Sequence, residues 1–287
     1  MGYYWRRLVS FVTGIRGPSL RGAVSQLCTQ AQCDSPEYAA WCAQLLMRPF
    51  YHRKEWEYVY IMQVLHEAGM LRAGRSGLGF GVGHEPLVAL IAAHGCSVLA
   101  TDLDKDAAIE RGWLKADTAV NQYAGSLDEL NAQGICDPDA FRDRVQYRVL
   151  DMNRLPADLG KFDFLWSSCA LEHLGSLDSG LNFIRKSLSY LRPGGVAVHT
   201  TEYNLSSRRR TVDRGETVLY RRGDMTNLMR SLRREGYAMR INFDPGDGPI
   251  DHHIDIPPYA HDPHLKLRIG QYVSTSLGLV IHKARAS

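Results

Sequence analysis

Apolar and polar positions change their rhythm near residue 74. Up to residue 73 the two are mixed in a way that reads as mostly helical, and Glu55–Leu71 shows the clearest amphipathic spacing. From there on, short apolar runs alternate with stretches of helical period. The runs Ser76–Gly81, Ser97–Leu103, Val145–Asp151, Phe162–Ser168 and Val196–Thr201 predict five strands. Glu85–His94, Lys105–Val120 and Asp178–Leu191 predict helices between them, with residues 121–144 an insertion punctuated by acids and proline. Arg192-Pro193-Gly194-Gly195 stops the third of these helices and turns the chain. A helix over Asp224–Glu235 and strands over Tyr237–Asp244 and Ser274–Lys283 complete the series. Strand and helix in regular alternation predict an α/β fold with a doubly wound, mostly parallel seven-stranded sheet. Its last strand, reached without a helix, runs antiparallel. Residues 1–73 form a helical N-terminal extension or lid, and residues 74–287 the sheet domain.

In such sheets ligands sit outside the carboxyl ends of the strands. Here those ends carry the run Gly77-Leu78-Gly79-Phe80-Gly81-Val82-Gly83-His84-Glu85-Pro86, then Asp102, Asp151, Ser167-Ser168 and Thr200-Thr201-Glu202. Glycine lets backbone approach a ligand closely and take a positive φ without steric cost. A strand-end carboxylate about twenty residues downstream suits the two hydroxyls of a ribose. The dinucleotide fingerprint wants glycine at relative positions one, three and six. Counted from Gly77, Gly79 or Gly81, position six is Val82, His84 or Pro86, so it fails in every register. An adenosine-containing cofactor other than a nicotinamide dinucleotide is expected.

The glycine spacing resembles the first motif of class I S-adenosylmethionine-dependent methyltransferases, with Gly79 where an acid is usual and Glu85 where the last glycine is usual. Ala100-Thr101-Asp102-Leu103 matches the family's ribose-binding acid. Leu150-Asp151-Met152 with Leu155-Pro156 resembles its adenine motif. Phe162–Ser168 followed by Leu171-Glu172-His173-Leu174 resembles the fourth-strand motif beside the transferable methyl, and Leu191–Gly195 the turn before strand five. The resemblance covers about residues 74–204 and implies a Rossmann-like fold. It implies S-adenosyl-L-methionine as cofactor and S-adenosyl-L-homocysteine as product. On it, Gly79, Gly81, Val82, Gly83, Glu85, Asp102, Leu103, Asp151, Met152, Ser167 and Ser168 are the expected cofactor-binding residues, Glu85 standing in for the carboxylate that Gly79 lacks. The insertions at about 204–222 and 245–272 would then flank the methyl acceptor.

The sulfonium supplies an activated methyl, so the protein must place an acceptor in line and, for a hydroxyl, take its proton. His173 is the expected base, with Glu202 orienting it or the acceptor and Glu172 the alternative. Arg53 or Lys54, opening the helix before strand one, would suit the methionine carboxylate of the cofactor. Asp251-His252-His253-Ile254-Asp255 and His261-Asp262-Pro263-His264 place four histidines and three aspartates within fourteen residues. Their spacing matches no standard metal site, so no metal is expected.

Composition narrows the rest. A hydrophobic fraction of 45% suits a globule with a sizeable core, and no apolar run reaches the length of a membrane span. The start, Met1 to Gly17, could lie on a membrane surface as a basic amphipathic segment, but a docking helix on its own domain is the expected role. Six cysteines without paired doublets read as free thiols of a reducing cytoplasm. A net charge of +3 gives no case for nucleic acid. Ten arginines against four acids between Ser206 and Arg240 could attract an anionic acceptor. The chain also resembles uncharacterised methyltransferases of bacterial surface-polysaccharide clusters. That implies O-methylation of a sugar hydroxyl on a small-molecule or glycan acceptor, by a chain that could pair as a homodimer. A secondary-metabolite O- or N-methyltransferase and a non-catalytic interaction module on the same fold stay open.

Overall fold

The structure is a computed structural model that describes residues 17–110 and 126–285. The amphipathic start, the later part of the helix expected over Lys105–Val120 and the first residues of the insertion lie outside the described residues. Among the described residues ten strands form one sheet: β1 (Ser25–Leu27), β2 (Ser76–Phe80), β3 (Ser97–Asp102), β4 (Val145–Val149), β5 (Phe162–Ser167), β6 (Leu191–Asn204), β7 (Tyr237–Ala238), β8 (Ile241–Asn242), β9 (Lys266–Ile269) and β10 (Tyr272–Lys283). The helices are α1 (Gln30–Cys33), α2 (Pro36–Gln44), α3 (Arg53–Glu67), α4 (Leu87–Ala93), α5 (Lys105–Glu110), α6 (Pro138–Arg144), α7 (Leu177–Ser187) and α8 (Arg222–Arg234).

The main path through the sheet runs β4-β3-β2-β5-β6-β10-β1-β8. From β4 to β6 every neighbour is parallel, and β10 runs antiparallel to β6 over nine residue pairs. This is the expected doubly wound, mostly parallel sheet with an antiparallel last strand. The order reverses between β2 and β5, which opens the crevice where α/β sheets bind ligands.

Three expectations are corrected. The described residues form ten strands rather than seven, and the single strand expected over Tyr237–Asp244 is two short pieces. β7 pairs with the last residues of β10, while β8 pairs with β1. Between them β1, drawn from the N-terminal segment, pairs with Gln26 opposite Gly278 and Leu27 opposite Leu277. β9 covers the start of β10. Three short pieces thus share the flank of one twelve-residue strand, and each is too short for its sequence period to show. β6 is also longer than expected, running from Leu191 through Asn204, so Glu202 sits inside a strand opposite Ser276 rather than at a strand end.

α3 packs across β10 and β6 and is buried on nearly all sides, from Trp56 to Leu65. Gly278 makes this approach possible: a Cβ there would lie 2.1 Å from Cε1 of Tyr60. The Tyr60 hydroxyl then donates to the Val24 carbonyl at 2.9 Å, and Trp56 Nε1 donates to Gln32 Oε1 at 2.8 Å. These bonds satisfy the polar ends of large rings that would otherwise be costly to bury. The N-terminal turn of α3 is thereby fixed over the carboxyl ends of β5 and β6.

Candidate active site: a cofactor pocket and the charges beneath it

A cavity opens along the carboxyl ends of β4, β3, β2 and β5, with the first turns of α3 as its far wall. Its glycine cradle follows β2. Gly81 has φ +59° and Gly83 φ +48°, both in the left-handed region. A Cβ on Gly81 would stand 3.2 Å from Cβ of Ala170 and 3.5 Å from Sδ of Met152, in the space where a ligand would pass. The Gly83 N–H donates to Asp102 Oδ2 at 2.9 Å and the Leu103 N–H to Oδ1 at 2.8 Å. Burial raises the Asp102 carboxyl, and these two amides oppose the rise. Each oxygen keeps a second lone pair, so the group can still accept from a vicinal diol.

Asp151 and Met152 line the cavity beyond β4, and the Asn153 N–H donates to Asp151 Oδ1 at 2.9 Å. On the β5 side the walls are Ser168, Cys169, Ala170, His173 and Leu174. Cys169 holds φ +45°, rare for a residue with a side chain, and its thiol donates to Glu57 Oε1 at 2.9 Å. Burial first, then the neighbouring Glu172 and Glu57 carboxylates, push that thiol well above its usual range, so it is a donor and not a thiolate.

His173 reaches the cavity wall with Nδ1 2.7 Å from the Glu216 carbonyl oxygen. A carbonyl can only accept, so Nδ1 carries the proton and the ring lone pair lies on Nε2. Glu216 belongs to the segment that runs beside residues 172–177, where the Leu177, Gly215 and Val218 amides donate to Asp213, Gly175 and Glu172 carbonyls. The exposed Arg208, Arg209, Arg210 and Arg214 lie on that same segment.

Not every expected residue faces the cavity. Val82 is fully buried, its N–H donating to the Thr101 carbonyl. Gly79 lies within β2, where a Cβ would come within 2.4 Å of Cζ2 of Trp166; it is glycine because of that ring. Ser167 points the other way and pairs with Nδ1 of buried His199 at 2.8 Å. Burial pushes that histidine down to about 3, so it is neutral.

Glu172 and Glu202 lie beneath the floor. Glu202 meets Nη2 of Arg53 at 2.5 Å, and burial pushes its carboxyl up to about 7 even though Arg53 pulls it down. Glu172 accepts from Thr201 Oγ1 at 2.9 Å. Neither bonds to His173, because the two carboxylates turn toward α3 and β6. Cys169, Glu172 and Glu202 bring donor atoms within 4.8 Å of one another, the one group among the described residues spaced to hold a metal. Arg53 already occupies the Glu202 carboxylate, which makes the arrangement an ion-pair network.

At its centre is Glu57, fully buried and missed by the sequence reading. It accepts from Cys169, from Ser168 at 3.2 Å, from Thr200 at 3.3 Å and from Ser276, and it faces Arg53 at 3.5 Å and Lys54 at 3.7 Å. Burial opposes ionisation, but Lys54 and Arg53 outweigh it and hold the carboxyl below its ordinary value. A signal existed: a lone acid on the apolar face of a helix, at i+3 and i+4 from two cations. Lys54 Nζ bridges Glu85 Oε1 at 2.9 Å and Ser168 Oγ at 3.1 Å at the cavity edge.

The histidine-rich loop does other work. His264 donates from Nδ1 to Asp255 Oδ2 at 2.6 Å and stacks on His52 at 4.8 Å, and His261 packs beside His52 at 5.2 Å. His52 in turn caps α3 by accepting from the Lys54 N–H at 3.2 Å. Burial, with His264 and Arg53 nearby, pushes His52 down to about 4, which preserves the lone pair that the cap needs.

A family model described as a methyltransferase domain matches residues 78–199, the stretch that holds the glycine cradle, Asp102, Asp151 and His173. The chain is also similar to solved structures at low identity. One is the magnesium protoporphyrin IX methyltransferase of Synechocystis PCC 6803 with bound SAH, at 12% identity, TM-score 0.47, covering 79% of this chain and 82% of that one. Another is a provisionally named sarcosine dimethylglycine methyltransferase of Galdieria sulphuraria, at 15% identity, TM-score 0.49, covering 82% and 85%. A third is an S-adenosylmethionine-dependent methyltransferase of Mesorhizobium loti, at 19% identity, TM-score 0.44, covering 76% and 95%. None of the curated proteins compared matches the chain. Residues 78–199 thus match a methyltransferase domain, and the cofactor is S-adenosylmethionine, with S-adenosylhomocysteine as product. The cradle at Gly81 and the strand-end carboxylate of Asp102 fit that ligand.

Proposed function

We propose that the chain methylates the hydroxyl of a sugar unit, with His173 as general base. The observation that carries this is the His173 tautomer: its Nδ1 proton is committed to the Glu216 carbonyl, which turns a basic Nε2 into play on the cavity wall beside Ala170 and Leu174. A sugar hydroxyl is far too weakly acidic to react unaided near neutral pH, so a positioned lone pair is what that acceptor requires. The bound cofactor supplies an electrophilic methyl on a sulfonium. Asp102 would hold its ribose, Asp151 and Met152 would border its adenine, and the cradle at Gly81 would let its chain pass. Nε2 of His173 would take the acceptor's proton.

The exposed arginines at 208, 209, 210 and 214 favour an anionic acceptor, such as a sugar nucleotide or an acidic glycan, because they lie on the segment that anchors His173. In this reading residues 1–73 are an extension and residues 74–287 the catalytic domain, and the enzyme works in the cytoplasm. The test is turnover of S-adenosylmethionine with a panel of sugar nucleotides by wild type and His173→Ala. The variant should lose roughly 10²- to 10⁴-fold in rate, the usual share of a general base, while S-adenosylhomocysteine affinity stays unchanged. Near-wild-type turnover would remove His173 from the mechanism, and methylation of amines alone would replace the hydroxyl reading.

A further inference from the structure

We propose that the outer face of α8 and the arginine turn beside it form a track for an acidic glycan chain whose sugar unit is presented to His173. The proposal rests on the sugar-hydroxyl reading above. It adds that the acceptor is a polymer gripped well beyond the cavity, not a single activated sugar.

The track starts on α8. Arg222, Arg230, Arg233 and Arg234 are exposed, while Met225, Leu228 and Leu232 are buried against the sheet. At 3.6 residues per turn the four arginines fall within about 120° of one another, opposite the buried stripe. They run along roughly 18 Å of helix at the usual rise per residue. A guanidinium is charged at any ordinary pH, and its planar fork fits a carboxylate or a phosphate. Among the described residues no carboxylate stands within ion-pair distance of these four. Asp224 pairs with Arg221, and Glu235 accepts from Ser231.

The second part is the turn over residues 206–210, where Arg208, Arg209 and Arg210 are all exposed. Three like charges in a row repel one another, yet the fold uses a buried residue to hold their backbone still. Asn204, 3% exposed, accepts from the Ser206 and Ser207 amides at 2.9 and 3.0 Å and donates to the Arg210 carbonyl at 3.1 Å. The Ser207 hydroxyl accepts from the Arg209 and Arg210 amides. The turn and the helix are joined, because Arg221 Nη1 donates to the Arg209 carbonyl at 2.7 Å. In the other direction the same segment reaches Glu216, whose carbonyl holds His173. The exposed acids Asp213 and Glu216 stand at that end and Glu235 follows α8, so the stretch between them stays positive.

The length of the track decides the partner. A sugar nucleotide bears its charge on two adjoining phosphates and could engage only the arginines nearest His173. Cations spread over two elements match charges repeated along a chain. None of the exposed large apolar side chains among the described residues lies on α8 or the turn, so nothing there would enter a bilayer. The Phe243 ring beside Arg222 is already faced by that guanidinium at 4.9 Å and by Tyr203 at 5.8 Å, which leaves it a poor platform for a nucleobase.

The experiment titrates wild type and the triple variant Arg230→Gln, Arg233→Gln, Arg234→Gln with galacturonate oligomers of two and eight units. Neutral dextran, duplex DNA and phosphatidylglycerol vesicles are the comparison probes. Wild type should bind the octamer at least tenfold more tightly than the dimer, and lose that advantage as salt is raised to about 0.3 M. Dextran should not bind. The variant should weaken the octamer by about tenfold to hundredfold, the sum of three exposed charge contacts. Its affinity for S-adenosylhomocysteine should not move, which certifies the fold. An octamer bound no better than the dimer, or equally well by the variant, would overturn the proposal. DNA or vesicles that bind more tightly than the octamer and resist displacement by it would overturn it too. Length-dependent octamer binding with methyl transfer to amines alone would sink the hydroxyl reading and leave the track standing.

Discussion

Replacing Arg53 by Met would show whether Glu202 belongs to the chemistry or to the foundation under it. The guanidinium meets Glu202 at 2.5 Å and Glu57 at 3.5 Å, and both carboxylates are almost completely buried. Removing one member of a buried ion pair costs about 3–5 kcal/mol, because the other charge is left without compensation. Glu202 has a way to limit the damage. Burial already places its carboxyl at about 7 against an ordinary 4.5, with Arg53 pulling in the opposite direction. Without Arg53 the carboxyl rises further and takes up a proton. The sign follows from linkage. A carboxyl whose folded value lies above its unfolded one contributes stability that is present at low pH and lost as pH rises through the folded value. In wild type that loss is complete a little above pH 7. In Arg53→Met it continues beyond, at about 1.4 kcal/mol for each unit of further rise.

Urea denaturation at pH 6 and pH 8 should therefore find Arg53→Met less stable than wild type at both, with the deficit larger at pH 8 by up to about 1.4 kcal/mol. Adding Glu202→Gln should recover part of the loss at pH 8, giving a coupling on the order of 2 kcal/mol in a double-mutant cycle. A deficit under about 1 kcal/mol at both pH values, or additive single effects, would refute the account of a buried pair that needs its cation. Glu202→Gln alone should retain most of the turnover that His173→Ala removes, since Glu202 faces α3 and not the cavity.

Two further outcomes are expected. Asp102→Ala should weaken S-adenosylhomocysteine by about 1–3 kcal/mol in calorimetry, the cost of losing hydrogen bonds to a charged group; unchanged affinity in a folded variant would end the ribose assignment. Dialysis against EDTA should leave turnover intact, because His264 of the loop is spent on Asp255 and Arg53 blocks the Glu202 carboxylate; activity that disappears and returns with a divalent cation would reverse that reading.

The central sheet was legible because its strands are apolar-rich runs of five or six residues closed by glycine, serine or a carboxylate. Ser76–Phe80, Ser97–Asp102 and Phe162–Ser167 each fall within a residue or two of their apolar runs. The flank of β10 was not. Ser25–Leu27 is three residues long, and its membership in the sheet depends on Gly278 and on α3 lying above it, contacts some 250 residues apart in sequence. The same division holds in the site. Asp102, Asp151, Ser168, Lys54 and His173 could be placed from strand ends and a helix start, which set where a side chain begins. Direction was beyond reach for Ser167 and Glu202. Along a strand adjacent residues point to opposite faces, so an error of one position sends a hydroxyl into the core.

The charge pattern of α3 explains why the N-terminal segment cannot be detached from the site. A helix with so many buried residues would be expected to carry none but apolar side chains there, yet its first turns hold Arg53, Lys54 and Glu57. Glu57 could not be buried alone, and each of its partners fixes something else: Ser168 and Cys169 the cavity wall, Thr200 the β6 strand, Ser276 the β10 strand, Lys54 the cavity edge. One carboxylate thus ties three strand segments and a helix into a common geometry at the place where the methyl must be handed over. Uncoupling it by Glu57→Gln would leave the cations Arg53 and Lys54 short of charge, and Lys54 would lean more heavily on Glu85. The cavity edge would then be altered by a residue that no ligand touches, a dependence that sheet topology imposes by seating α3 against β6 and β10.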